Sequence, residues 1–340
     1  MDRFVCVRLV QANQLDLSLF QFDWELTFAV FLMNADKTIY GRYGSRSDWF
    51  EAERDISLEG LQKAMRAALE LHRSHPASRQ VLAAKTGPKP KYKMLAEYPW
   101  IQQRGVTRQH CMHCHHVGSA VHMVYRAAGK PIPDKTLFAW PMPDVIGLRL
   151  DPKEIATVKE VIDGSLAQRA GLQKGDQIQS LEGQPILSTA DVQWVLHNSD
   201  EAAKLTAQVL RNGKTKTVAL SLEKGWRRNT DIAWRPTSFW LRRVAFGGMR
   251  LEKLSAADHR RTGVSEDALA LRVRNLGNNA PARRSGVRPG DIVVSFDGRS
   301  GHSSESDLLV YGVQKKLAGA KIPITVLRAG KRINLTLTVE

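Results

Sequence analysis

Two cysteines and four histidines lie close together near the middle of the chain, in the run His110-Cys111-Met112-His113-Cys114-His115-His116. The Cys-x-x-Cys-His spacing inside this run is that of a covalent haem attachment site. Two thiols one helical turn apart can reach both vinyl groups at one porphyrin edge, and the adjacent imidazole can bind the iron as proximal ligand. The residues therefore predict a c-type haem held by Cys111, Cys114 and His115.

The second axial ligand of such an iron is chosen from several candidates. We favour Met142, because it comes from another part of the chain, is stiffened by Pro141 and Pro143, and would give the Met/His ligation common in electron transfer. His122 is a poor candidate, since on a continuing helix it would face the same side of the ring as His115. The remaining alternatives are Met94, His72, His75 and an open position.

Two other chemistries fit the same run. The histidines and the two cysteines could hold zinc in a tetrahedral N/S site. Alternatively, Cys111 and Cys114 could form a thioredoxin-type redox pair, although such a pair usually follows a strand and none is evident here. A disulfide framework is excluded, because the chain has only one further cysteine, Cys6.

Length and composition restrict the classes of protein. The chain has 340 residues, 43% of them hydrophobic, with a formal net charge of +16, which is enough for two or three compact domains. A basic balance favours acidic partners, but the basic residues are spread out and no motif for reading nucleic acid is present. We therefore predict no nucleic-acid partner. No apolar run is long enough to cross a bilayer, and the start has no secretory signal.

The second half of the chain contains a duplication. The motif Gly-apolar-x-x-Gly-Asp occurs at 171–176 and again at 286–291, and Val-Leu-Arg-x-Gly-Lys occurs at 209–214 and 326–331. A period this long, present twice, indicates a duplicated domain rather than a solenoid.

Each copy predicts the same order of elements. A β-rich stretch leads to a small-residue helical turn, a strand, a tight turn, a helix that begins near a serine, and a final hairpin. The predicted positions are 156–162 and 269–276 for the first stretch, 177–181 and 292–296 for the strand, 182–183 and 297–298 for the turn, 188–191 and 303–306 for the helix start, and 212–213 and 329–330 for the hairpin. Together these elements predict a small β-barrel with one main helix.

The duplicated pattern resembles the PDZ domains of periplasmic Deg/HtrA-like serine proteases over 144–225 and 244–340. The resemblance implies that the chain binds protein C-termini or extended peptides by strand addition, with the carboxylate on the amides of an apolar-Gly-apolar loop. The implied loops are Ile146, Gly147, Leu148 and Gly247, Gly248, Met249. The implied groove residues on the two helices are Val192, Val195, Leu196 and Leu308, Leu309, Val313. The alternative interpretation is that these apolar helix residues only fill the core.

The protease half of that family has no counterpart in the sequence. There is no Gly-x-Ser-x-Gly segment, and the stretch before residue 144 is too short for a double-barrel protease. We therefore predict binding without proteolysis, and no catalytic residue is assigned.

The N-terminal third predicts strands at 4–10, 27–34 and 38–43, followed by a helix. The predicted buried face of this helix consists of Leu58, Leu61, Met65, Leu69 and His72. Cys6 is predicted to be a buried residue in the first strand. This order resembles the second half of a thioredoxin fold over 1–75, without the first strand, the first helix and their Cys-x-x-Cys motif.

The predicted chain is thus a multidomain α+β protein. Its parts are a partial thioredoxin-like domain (1–75), a Cys-x-x-Cys-His segment (76–143), a PDZ domain (144–225), a basic aromatic linker (226–243) and a second PDZ domain (244–340). The whole order resembles the bacterial thioredoxin-like/PDZ (seleno)proteins. That resemblance implies a truncated start and a periplasmic or cell-envelope location; if Met1 is the true start, the location is cytoplasmic.

Three functional hypotheses follow. The first is a PDZ adaptor of the cell envelope whose covalent haem carries electrons to a redox partner or senses redox state. The second is a PDZ scaffold with zinc at the cysteines and histidines. The third is a thiol oxidoreductase whose main redox motif is missing from this chain.

Overall fold

The computed structural model of the chain describes residues 3–50, 52–105 and 110–340. The chain divides into two compact units, one of Met1–Ala120 with Asp134–Thr230, the other of Val121–Pro133 with Asp231–Glu340. Each unit contains one copy of the duplicated pattern. Every helix in these described ranges is too short or too polar to span a bilayer.

The first unit combines the N-terminal third with the first copy. Its strands are β1 (Val30–Met33), β2 (Ile39–Tyr43), β3 (Leu148–Leu150), β4 (Val158–Val161), β5 (Gln177–Leu181), β6 (Gln184–Pro185), β7 (Ala203–Arg211) and β8 (Lys214–Leu222). Its helices are α1 (Leu58–Arg73), α2 (Arg79–Leu82), α3 (Pro99–Gln103), α4 (His115–Ala127), which begins in this unit, α5 (Asp134–Leu137), α6 (Leu166–Arg169) and α7 (Thr189–Asn198). Short 3-10 helices lie at Ala52–Arg54, Ala83–Lys85, Leu95–Glu97, Pro143–Ile146 and Trp226–Arg228.

The second unit contains the second copy. Its helices are α8 (Ser238–Phe246), α9 (Ala256–Thr262), α10 (Pro281–Arg284) and α11 (Glu305–Lys315). Its strands are β9 (Met249–Lys253), β10 (Leu271–Leu276), β11 (Ile292–Phe296), β12 (Lys321–Arg328) and β13 (Lys331–Thr338).

The sheets of both copies are antiparallel, and none of them closes on itself within the described ranges. The first copy has a pair β3-β4 and a sheet β6-β5-β7-β8, and the second has one sheet in the order β13-β12-β11-β10-β9. Helices pack on the outer strands, α10 on β13 and α11 on β9. The predicted barrel character is therefore not confirmed, because the strand orders of the described sheets are open.

The local signals of the repeat produce the predicted elements. The strands predicted at 177–181 and 292–296 are β5 and β11 with those bounds. Ser188 and Ser304 are the N-caps of α7 and α11, and their hydroxyls accept hydrogen bonds from the first free amides of those helices. Both residues of the Asn212-Gly213 hairpin have positive φ, as tight hairpin turns require.

A buried aspartate explains why each copy contains the Gly-Asp motif. In the first copy Arg211 donates to both oxygens of Asp176 at 2.6 and 2.7 Å and also to the Gly171 carbonyl oxygen at 2.7 Å. Burial alone would raise the pKa of Asp176, but the hydrogen bonds from Arg211 and from the Gln173 amide outweigh it and lower that pKa. The contact, which we call the aspartate clasp, joins the loop before β5 to the end of β7.

The second copy repeats the aspartate clasp. Arg328 donates to both oxygens of Asp291 at 2.7 and 2.8 Å and to the Gly286 carbonyl oxygen at 2.8 Å. The two clasps use the same positions of the repeat, so the matching arginines of the two Val-Leu-Arg segments are structural residues that the sequence analysis left without a role.

Helix α1 forms where predicted, and part of its predicted face packs against the core, since Leu61 and Met65 are half-buried beside the hydrophobic cluster of the first unit. Gly60, Ala64 and Ala68 are its buried residues, whereas Leu58 is 73% exposed and His72 is also exposed. A Cβ atom at Gly60 would lie 2.1 Å from the Pro152 carbonyl oxygen. The close approach of the Pro152 carbonyl therefore requires glycine at position 60, and the most deeply buried positions of α1 are small residues.

The first predicted strand does not form. Residues 4–10 have no strand hydrogen bonding, and Cys6 is exposed rather than buried. The hairpin predicted after it is present, with β1 paired to β2 from Val30↔Tyr43 onward. A strand forms only where its main-chain groups can pair with a neighbouring strand. The β-rich composition of 4–10 predicts a strand but does not provide that neighbour.

The aspartate clasp makes a stability prediction. Arg211→Met leaves the Asp176 carboxylate buried and without its cation, and we expect the free energy of unfolding to fall by about 3 kcal/mol. Urea unfolding followed by tryptophan fluorescence measures this. Arg149→Met is the matched control, because Arg149 pairs with Glu160 while both side chains stay about half exposed, and its loss is expected to be below about 1 kcal/mol. Equal losses in the two variants would contradict the structural role of the clasp.

Candidate functional site

The glycine loop of the first copy lies at the end of a 3-10 helix. Pro143–Ile146 ends at Gly147, whose φ of 78° is left-handed. The Gly147 amide donates to the Asp144 carbonyl oxygen at 2.8 Å. A Cβ atom at this position would lie 2.1 Å from the Ser165 Cβ, so only glycine fits. The flanking Ile146 and Leu148 are buried.

The glycine loop of the second copy ends a longer helix. Gly247 and Gly248 both have positive φ, and their amides donate to the Arg243 and Arg242 carbonyl oxygens at 3.2 and 3.0 Å. Met249 is fully buried. In both copies the glycine amides of the loop already donate to a carbonyl oxygen of the chain. A ligand carboxylate must therefore share the amide N–H with that carbonyl oxygen or replace it as the acceptor.

Each glycine loop leads directly into a strand at the edge of its sheet. Strand β3 begins at Leu148 and pairs with β4. Strand β9 begins at Met249 and pairs with β10 as the last strand of its sheet. A strand with one strand partner has a second row of main-chain groups that an extended peptide can pair with. This is the position that strand addition requires.

The apolar helix residues predicted to line the two grooves are all between 0 and 4% exposed: Val192, Val195, Leu196, Leu308, Leu309 and Val313. The first three belong to the main hydrophobic cluster of their copy. These side chains are thus buried in the structure, and their role in lining the grooves stays a prediction. Each helix also has a polar residue that contacts the segment before the glycine loop: Gln193 on α7 and Glu305 on α11.

Glu305 is the main polar residue on α11. It accepts hydrogen bonds from Arg242 of α8 at 2.8 and 3.1 Å and from the Leu251 amide of β9 at 2.9 Å. About two turns further along α11, a Cβ atom at Gly312 would lie 2.6 Å from the Ala245 Cβ. Helices α8 and α11 are therefore in close contact along this face. The sequence signal for Glu305 is its position directly after the N-cap.

The first copy has a different contact on the corresponding helix. Gln193 of α7 donates to the Trp140 carbonyl oxygen at 3.0 Å. The Trp140 ring stacks on His197 with centroids 4.6 Å apart. Thr189 follows the N-cap, where the second copy has Glu305.

The N-terminal third packs on α7 through a group of buried charges. Lys85 and Asp191 are both 0% exposed, with the Lys85 Nζ 2.8 Å from an Asp191 oxygen. The Arg42 amide donates to Asp191 at 3.2 Å, and the Arg42 guanidinium lies 3.9 Å above the Trp194 ring centroid. Burial lowers the pKa of Lys85, with Asp191 acting in the opposite direction, and lowers the pKa of Arg42 to about 10.

The Cys-x-x-Cys-His segment leaves its reactive groups accessible. Cys111 is exposed, Cys114 is half-buried, and both are free thiols. His115 is the first residue of α4, and its ring is stacked on that of His113 at a centroid distance of 5.6 Å. Two accessible thiols beside an imidazole at a helix start are the donor set that haem attachment needs.

Burial affects the protonation of this segment. It lowers the pKa of His115, with help from His113, and lowers the pKa of His116 to about 4. Both imidazoles are thus neutral at pH 7 and can act as ligands. Burial raises the pKa of Cys114, so this thiol is protonated and a weak nucleophile.

The candidates for the second axial ligand differ in their surroundings. Met142 is half-buried at the start of the Pro143–Ile146 helix, and its role as a ligand stays a prediction. The His72 Nδ1 lies 2.8 Å from the Tyr40 hydroxyl, and the His75 Nε2 lies 3.3 Å from Asp36. These two imidazoles already have polar partners. Within the described ranges no three His, Cys, Asp or Glu side chains are arranged to hold a metal ion.

Comparison with known proteins identifies the family. A family model described as PDZ domain matches residues 144–222 and 248–339. These ranges make up half of the chain, and the chain belongs to the PDZ domain family. The predicted pair of PDZ domains of the Deg/HtrA type is confirmed.

Among curated proteins, the chain is 26% identical over 181 residues to a "Probable periplasmic serine endoprotease DegP-like" of Pseudomonas fluorescens, an alignment that covers 53% of this chain and 37% of that protein. It is 27% identical over 147 residues to "Periplasmic serine endoprotease DegP" of Escherichia coli, covering 43% of this chain and 27% of that protein. The chain thus spans about a third of the length of the curated relatives it matches.

Among solved structures, the HtrA3 PDZ domain bound to the phage-derived ligand FGRWV is 21% identical, with coverage of 28% of this chain and 83% of that chain and a TM-score of 0.24. The HtrA-type protease AlgW with a tripeptide is 18% identical, with coverage of 54% and 60% and a TM-score of 0.27.

Proposed function

We propose that this chain is a peptide-binding adaptor whose PDZ domains capture protein C-termini or extended segments. The observation that carries the proposal is that each glycine loop opens directly into an edge strand, β3 or β9, with one strand partner. Main-chain pairing to such an edge gives affinity, and side chains of the adjoining helix give specificity. The boundaries 144–225 and 244–340 of the two binding modules are part of this proposal.

Binding without proteolysis is part of the proposal on the ground of the sequence alone, which contains no Gly-x-Ser-x-Gly segment. The curated relatives are named as periplasmic proteins, which supports a periplasmic or cell-envelope location, and we include that location in the proposal.

The N-terminal residues 1–75 are proposed to be a partial thioredoxin-like domain that supports the first PDZ domain. The β1-β2 hairpin followed by α1 has the element order of the second half of that fold. The Arg42–Trp194 contact holds the hairpin against α7, and the buried Lys85–Asp191 pair holds the region that follows α1 against the same helix. In this position the N-terminal third stiffens one wall of the first binding site.

A second candidate function is redox chemistry at a covalent haem. Cys111 and Cys114 would attach the porphyrin, His115 would be the proximal ligand, and Met142 is the preferred distal residue. When bound, the group would supply one-electron transfer. The specific support is the accessible thiol of Cys111, the position of His115 at the start of α4 and its neutral imidazole.

The two alternatives for the cysteines have weaker support. A zinc scaffold needs a third and fourth ligand close by, and the described residues bring no such group together. A thiol oxidoreductase needs a thiolate, whereas burial raises the pKa of Cys114.

Peptide capture is tested with the pentapeptide Phe-Gly-Arg-Trp-Val, the ligand named for the HtrA3 domain. We expect a dissociation constant on the order of 10 µM by fluorescence anisotropy. The C-terminal amide of the same peptide is expected to bind at least about tenfold more weakly, because it loses charge-assisted hydrogen bonds to the loop.

Gly147→Ala is the site variant, since its Cβ would collide with Ser165 and move the loop. Gly164→Ala is the matched control, because Gly164 also has a positive φ but an added Cβ meets open space. Equal binding of acid and amide, or equal binding by the two variants, would contradict carboxylate capture at the first loop.

Haem attachment is tested in protein produced together with haem-maturation machinery. We expect a Soret band that survives denaturation, a weaker linkage in Cys114→Ser, and an altered iron spectrum in His115→Ala. Cys6→Ser is the control and is expected to leave the spectrum unchanged, since Cys6 lies outside the motif. Bound zinc without a Soret band would instead favour the scaffold hypothesis, and turnover of a disulfide substrate would favour the oxidoreductase.

A further inference from the structure

We infer that helix α8 (Ser238–Phe246) is an internal ligand that closes the binding groove of the second PDZ domain. An outside peptide then binds this groove only by displacing α8. The inference rests on the proposed peptide-binding function, and it assigns the second groove a gate and a ligand preference. It follows from the order of contacts, from their chemistry and from the main-chain groups that they occupy.

The contacts of α8 and of the residues before it extend along α11 from Glu305 to Gly312. Near the start of α11, the Ser306 hydroxyl donates to Asp231 and accepts from the Ile232 and Ala233 amides. Arg242 then contacts Glu305, and Ala245 contacts Gly312 nearer the other end of α11.

The segment reaches the glycine loop at its own C-terminal end, because Gly247 follows α8 directly. A C-terminal peptide in a PDZ groove likewise has its last residue at the loop and its body along the adjoining helix. Helix α8 therefore lies along α11 with the polarity of a ligand.

The chemistry of the contact is that of a recognition site. Arg242 and Glu305 form a bidentate ion pair in which both side chains are mostly buried, a geometry that adds both energy and direction. Gly312 has no side chain, so the Ala245 backbone and Cβ fit directly against α11. We call the two contacts the α8 latch.

The latch also occupies the main-chain donors that a peptide would use. Glu305 Oε1, which accepts from Arg242 Nε, also accepts a hydrogen bond from the Leu251 amide on the β9 edge at 2.9 Å. The Gly247 and Gly248 amides donate to carbonyl oxygens at the end of α8. Strand addition at β9 therefore competes with hydrogen bonds that are already made. The apparent affinity for a peptide is the intrinsic affinity multiplied by the fraction of molecules whose groove is open.

The first copy provides an internal comparison. After its N-cap, α7 has Thr189 in place of Glu305, and a threonine cannot form the ion pair with an arginine. The two copies therefore share a fold but differ in the latch. In the second groove Glu305 selects ligands with a basic side chain, and Gly312 selects a small residue three positions after it, as in the Arg242–Ala245 spacing of α8.

The latch is tested with two measurements on the full chain. The first is hydrogen–deuterium exchange of the segment 249–253 without any peptide, which reports closure alone. The second is anisotropy of a fluorescein-labelled peptide with the sequence of residues 236–247, which carries its own arginine. In Arg242→Ala we expect faster exchange at 249–253 and peptide binding at least about tenfold tighter than in the wild-type chain.

Matched variants assign the effect to the groove. Arg243→Ala is the control, because Arg243 is adjacent in α8 but pairs with Glu340, and it is expected to behave as wild type in both measurements. Glu305→Gln added to Arg242→Ala is expected to weaken peptide binding at least about fivefold, since the arginine of the peptide loses its charged partner. Arg242→Gln replaces Arg242→Ala if the latter does not fold.

The two measurements separate the possible failures. Unchanged exchange at 249–253 in a folded Arg242 variant would overturn the latch. Faster exchange without tighter peptide binding would show that the latch exists but that the second groove does not capture this ligand class, which counts against the proposed function of that groove. Wild-type protein that binds the peptide as tightly as Arg242→Ala would also overturn the inference.

Discussion

The second row of main-chain groups on an edge strand is the constraint on which peptide capture by this protein depends. Strands β3 and β9 each have a single strand partner, and buried main-chain donors and acceptors must find a partner somewhere. In the second copy the chain supplies part of that partner itself, because Glu305 accepts from the Leu251 amide. Peptide binding then exchanges hydrogen bonds within the chain for hydrogen bonds to the peptide. The affinity depends on the difference in free energy between the two sets.

Buried ion pairs join the elements that surround these edges. The aspartate clasps fix the same loop in both copies, through Arg211 in the first and Arg328 in the second. Lys85 and Asp191 join the N-terminal third to α7. Such pairs specify how the elements are arranged more than they stabilise the fold, because the cost of desolvating both charges offsets much of their attraction. The two copies share the aspartate clasp but differ in the residue after the N-cap, Thr189 or Glu305. The same fold can therefore form two grooves with different polar groups.

The sequence predicted what short-range rules determine. The strand bounds of β5 and β11, the caps at Ser188 and Ser304 and the left-handed hairpin residues depend on neighbours in the chain. Other features depend on residues far apart in sequence. These are the depth to which each residue of α1 is buried, the absence of a strand at 4–10 and the contact between Arg242 and Glu305. Periodicity identified Leu61 and Met65 of α1 as packed residues, but it could not show that the Pro152 carbonyl leaves room only for glycine at position 60. The apolar helix residues assigned to the grooves are buried, because burial follows three-dimensional packing.

Amide exchange at the first edge strand tests the central claim most directly. With a saturating C-terminal peptide, hydrogen–deuterium exchange followed by mass spectrometry should show slower exchange at 147–151, where an added strand would pair with β3. Protection confined to another part of the chain, with 147–151 unchanged while the peptide is bound, would contradict capture by strand addition.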